Sequence, residues 1–238
     1  MTAIFAYISF AVSVIFAGVV SRQFLQRRRI YQAIWASALF LWALAALAEV
    51  LASIGGWTSA EFRLYYVAGG ILLVGFFGLG SLYLLFPKVA KFFAWFMGLA
   101  FVLSVVATVG ASIASRMLAG VHGVPPNTAM YGPRTHPGNV FNLLAYILAV
   151  VVNILGTIAL AGGALYSVAM AAIRRSGWIR MISSLLILIG ALVVASAASL
   201  TRFGQPGYFY LGQAIGIAII FVGVLVAERP RTAAHREA

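Results

Sequence analysis

The chain has 238 residues, of which 63% are hydrophobic and only 8% charged, with a net charge of +12. Soluble globular domains carry about 25% charged residues, so a water-soluble fold is excluded and the bilayer is the solvent. The absence of cysteine also excludes disulfides, thiol catalysis and thiolate metal sites.

A helix needs roughly 20 mostly apolar residues to cross the hydrocarbon core. Seven segments meet that need: Thr2–Val20, Ile30–Ser53, Tyr65–Phe86, Val89–Ile113, Val140–Ala172, Met181–Leu200 and Tyr208–Ala227. The expected fold is all-α, a polytopic seven-transmembrane-helix bundle over residues 1–228, followed by a short disordered cytoplasmic tail at 229–238. The first segment is too long for a cleaved signal peptide and lacks a basic leading region, so it reads as a retained span. Most connections are short, which makes consecutive spans antiparallel neighbours.

The outer loop 114–139 is the exception. Pro125, Pro126, Pro133 and Pro137 stop it from continuing a helix. His122, Tyr131 and His136 make it a candidate lid over the outer mouth of the bundle. The fifth segment has 33 residues, about 50 Å as one helix against a core of about 30 Å. It is expected to tilt or to project beyond the membrane near Arg174.

The positive charge sets the topology. Arg22, Arg27, Arg28, Arg29, Lys88, Lys91, Arg174, Arg175, Arg180, Arg229, Arg231 and Arg236 fall on one face of the seven-span arrangement. Arg63, Arg116, Arg134 and Arg202 fall on the other. Cytoplasmic loops carry the excess of Lys and Arg, which predicts an external N-terminus and a cytoplasmic C-terminus. The basic balance therefore points to lipid head groups and not to nucleic acid.

Little remains for catalysis. There is no aspartate, and of four glutamates only Glu49 and Glu61 lie near the bundle. The three histidines, His122, His136 and His235, all lie outside the spans, which leaves no intramembrane haem ligands, no metal-ligand spacing and no base for a serine nucleophile. The last span has no lysine for a retinal Schiff base. The reading is of a non-enzymatic protein without a resident cofactor, with non-covalent binding of a lipid, quinone or polyene left open.

Two helical stripes stand out. In the second span Tyr31, Trp35, Trp42 and Glu49 share one face, with Ala38 and Ala45 between them. In the fifth span Asn142, Tyr146, Asn153 and Thr157 do the same. Each stripe reads either as ordinary interhelical packing or as the wall of a ligand pocket. Arg63, at the outer entrance of the third span, is expected to pair with Glu49 or else with Glu61. Glycines 69, 70, 75, 78 and 80 predict a third span at the centre of the bundle, because small residues let helices approach closely in lipid. Gln213 is the expected partner of the fifth-span amides.

The run RRRIYQAIWASALFLWALAALAEVLASIGGW, followed by RLYYVAGG, resembles the seven-span sensor regions at the N-terminus of some bacterial histidine kinases and related signalling proteins. Arg27–Arg29, Trp35 or Trp42, Glu49 and Arg63 carry the resemblance, over about the first third of the chain. It implies a sensor of the bacterial inner membrane. Those proteins continue into cytoplasmic kinase or cyclase domains, whereas this sequence ends about ten residues after its last span, so its output would pass through a separate partner protein.

The residues thus point to a small apolar or amphipathic ligand held in the outer half of the bundle. Trp35, Trp42 and Tyr66 would form its wall, Glu49 and Arg63 would orient it, and Asn153 and Gln213 would make deeper contacts. Two other readings stand beside it. One is an accessory subunit of a larger respiratory or photosynthetic membrane complex. The other is a facilitator for a neutral solute. Reporters fused to the two ends should appear on opposite sides of the membrane, the N-terminal one outside; finding both on one side would end the seven-pass reading.

Overall fold

The computed structural model describes residues 2–113, 118, 120–122, 138–173, 178–202 and 208–228. Among them every regular element is helical. The long helices are α1 (Thr2–Arg27), α2 (Ile30–Gly55), α3 (Ser59–Leu85), α4 (Pro87–Gly110), α5 (Val140–Ile173), α6 (Trp178–Arg202) and α7 (Phe209–Glu228). Most of the 114–139 loop, with Tyr131 and His136, and the 229–238 tail lie outside the described residues.

Among the described residues six helices, α1 to α5 and α7, are long and apolar enough to cross a membrane. The chain is therefore a helical, multi-pass membrane protein. α6 has 25 residues, among which Leu185–Val194 form an apolar stretch. Six of the seven expected spans are thus shown among the described residues. α5 is one unbroken helix of 34 residues, as its long apolar run demands.

The packing order makes a ring. α1 packs on α2, α2 on α3, α3 on α5, α5 on α6, α6 on α7, and α7 returns to α1. α4 stands outside this ring, against α3 and α5. Its outward face is bare: Phe92 and Trp95 are 81% and 83% exposed, as side chains facing lipid would be.

Lipid tails are as apolar as leucine, so burial of apolar surface does not hold such helices together; close packing and polar contacts do. The α3–α5 crossing shows the first device. A Cβ added to Gly78 would lie 2.6 Å from the carbonyl oxygen of Gly156, and one added to Gly156 would lie 2.6 Å from the carbonyl of Val74. The two backbones touch. α6 and α7 meet in the same way, with a Cβ at Gly190 falling 2.7 Å from Gly216 O.

The helix ends are closed locally. A two-residue connection joins α1 to α2 through Arg28, whose φ of 51° is left-handed. Gly56, at φ 80°, ends α2. Thr58 then starts α3 with a capping box, its hydroxyl accepting from Glu61 N while Glu61 accepts from Thr58 N.

Gly78→Val should therefore force α3 off α5 and destabilise the protein by about 3 kcal/mol. Gly18→Val, where an added Cβ meets nothing within 4 Å, should be neutral. Thermal unfolding of both variants in lipid nanodiscs reads the difference.

Candidate functional site

α3 changes winding part-way along. Tyr66–Leu72 form a π-helix, a geometry that inserts a residue and is frequent at functional sites. Asn153 of α5 reaches into this segment, its amide donating to Gly70 O at 2.7 Å and to its own Ala149 O at 2.7 Å. Gly69 lies tight against α2, where an added Cβ would be 2.9 Å from that of Ala45.

Inside the ring is a cavity of about 240 Å³. All six ring helices line it, for example Phe16 of α1, Trp42 of α2, Phe77 of α3, Asn153 of α5, Ala191 of α6 and Gln213 of α7. α4 contributes nothing to it. Along α2 the lining runs from Trp35 to Ala45, and along α7 from Phe209 to Val224. At 1.5 Å per residue these stretches are about 15 and 22 Å long. The cavity is therefore elongated along the helix axes and occupies the middle of the bundle, where an outer-half pocket was expected. No charged side chain is among its lining residues.

One end of the cavity carries a run of polar side chains from three helices. The Trp42 indole N–H donates to Ser9 Oγ at 3.3 Å, Ser9 donates to Gln213 Oε1 at 3.4 Å, and Gln213 Nε2 donates to Glu49 Oε1 at 3.3 Å. Each donor points one step further toward the carboxyl group. Glu49 is completely buried, one turn beyond Ala45 and behind Gln213. Its second oxygen, Oε2, is buried without a hydrogen-bond partner, as is the hydroxyl of Tyr210. The phenols of Tyr65 and Tyr210 are close enough to feel the carboxyl group electrostatically.

Of the residues singled out from the sequence, Trp35, Trp42, Asn153 and Gln213 line the cavity. Trp35 packs against α3, its indole N–H donating to Phe77 O at 3.4 Å. Gly80 makes room for it, since a Cβ there would stand 2.1 Å from the indole. Glu49 does not touch the space directly.

Arg63 is elsewhere. Its guanidinium donates to the carbonyls of Thr108, Val109 and Ala111, capping the end of α4. Neither expected ion pair forms: Glu49 takes Gln213 and Glu61 closes the capping box. The carbonyls at the end of α4 lack intrahelical partners and sit at the negative end of the helix dipole, which draws the guanidinium to them.

Tyr66 is also displaced from its expected role. It is fully buried against Phe62, ring centroids 6.0 Å apart, while its neighbour Tyr65 faces the cavity. The fifth-span stripe divides as well. Asn153 and Thr157 line the cavity, but Asn142 binds the backbone N and O of Ser112 and Tyr146 is 41% exposed. His122 is exposed beside Gly56. Its neighbour Val121 accepts the Trp57 backbone N–H at 3.1 Å, which anchors that part of the loop to the α2–α3 turn.

Sequence reasoning passed over Ser9, Phe16, Phe77 and Phe209. Ser9, Phe16 and Val20 recur at a spacing that keeps one face of α1 inward, which is the signal that pointed to them. Among the described residues no group of three histidine, aspartate or glutamate side chains could hold a metal. Comparison with family models, curated proteins and solved structures gives no match.

Asn153→Leu should leave Gly70 O unsatisfied at the π segment and lower stability by about 1–2 kcal/mol. The measurement is thermal unfolding in nanodiscs; an unchanged midpoint would mean that α3 re-forms its own hydrogen bonds.

Proposed function

We propose that the protein is a non-enzymatic bundle of the bacterial inner membrane that holds a small apolar or amphipathic molecule in the ring cavity and signals through a separate protein. In this reading α6 is the seventh span, because it closes the ring between α5 and α7, and the N-terminus is external. The observation that carries the proposal is that all six ring helices line one space. An occupant touches every helix at once, so it can bind two ring arrangements with different affinity and shift their populations. The lining suits such a molecule, being mostly aromatic and aliphatic with a few polar groups gathered at defined places. The likeness of the second span to bacterial sensor regions agrees with this role.

One observation favours a second reading. α4 lies outside the ring and adds nothing to the cavity, yet it carries Phe92 and Trp95 on its outward face. That is what an accessory subunit would offer to neighbouring helices in a larger respiratory or photosynthetic complex.

Ala191→Phe fills the cavity from α6 without altering its polar end. Radiolabelled decanol should be retained by nanodiscs holding the wild-type protein above the level in empty discs, and about tenfold less by the variant. Equal retention by both would place the molecule outside the ring.

A further inference from the structure

Resting on the reading of the cavity as a binding site, we propose that its occupant is a lipophilic cation, an organic ammonium group on an apolar body. The positive end would be seated against Glu49, from which it displaces a proton.

Glu49 is fully buried in a membrane-spanning helix, and no basic side chain reaches it among the described residues. Arg63, the nearest base along the chain, is committed to the end of α4. A lone carboxylate in such surroundings is relieved either by a proton or by a cation. Gln213 satisfies one carboxyl oxygen, while Oε2 and the nearby Tyr210 hydroxyl remain unpartnered and buried. These two oxygens stand behind the cavity wall at Gln213, as acceptors for a positive group that displaces that amide. The approach is through Gln213, which lines the space and holds Glu49 by a single 3.3 Å contact.

The walls agree in sign. Trp42, Tyr65 and Phe209 line the end nearest Glu49, and aromatic faces attract ammonium groups. An anion would find no lysine, arginine or histidine in the lining. Among the described residues the titratable groups facing Glu49 are the phenols of Tyr65 from α3 and Tyr210 from α7. α1 contributes Ser9, through Gln213, which is neither acid nor base. The exchange balances in charge: one cation enters and one proton leaves the carboxyl group.

The experiment compares radiolabelled decyltrimethylammonium with decanol on protein in nanodiscs, less the uptake of empty discs. The cation should bind the wild type about tenfold more tightly than Glu49→Gln, while decanol binds both alike. In weakly buffered solution the wild type should release close to one proton per cation bound, and Glu49→Gln none. Should the variant fail to fold, the wild type alone decides, because proton competition weakens cation binding as pH falls. A cation affinity independent of pH, or unchanged in Glu49→Gln while decanol still binds, overturns the cation site and leaves the cavity reading intact. If neither probe is retained, both fall.

Discussion

Helices α1, α2 and α7 are joined by side chains that have no water to turn to. Trp42, Ser9, Gln213 and Glu49 form a line of donors and acceptors that ties the first helix to the second and the last. In a bilayer each such contact contributes roughly 0.6 kcal/mol, which is small beside what a soluble core supplies. The line matters because of where it stands: it holds the seam between the two ends of the chain, and an open seam would leave the cavity without its α1–α7 wall.

The other seams use a different device. At Gly78 and Gly156, and again at Gly190 and Gly216, backbones approach until no side chain fits between them. Tight crossings on one side and a polar seam on the other leave the interior under-filled. Large rings at Phe16, Trp42, Phe77 and Phe209 border the gap without closing it. The space is a consequence of how six helices are spaced, and the π turn in α3 adds to it by shifting the side chains below Tyr65.

Much of this was legible before any coordinates. Long apolar runs name their own helices, so the all-α architecture followed from hydropathy, and the glycine run in the third segment marked a helix with many neighbours. Trp35, Trp42, Asn153 and Gln213 were found because polar or aromatic groups in an apolar helix must face something. Arg63 was misread because a carboxylate is visible in a sequence as a partner, whereas the carbonyls at the end of α4 are not. The choice between Tyr65 and Tyr66 was beyond periodicity, since a π turn changes the period within the very segment that holds them.

The contact between Gln213 and Glu49 joins positions 164 residues apart. A ribosome adds about 5 to 20 residues per second, so the acid enters the membrane on the order of ten to thirty seconds before its amide exists. During that interval the half-made chain must shelter Glu49 in some other way. α7, made long after α2, thus completes the acid's surroundings.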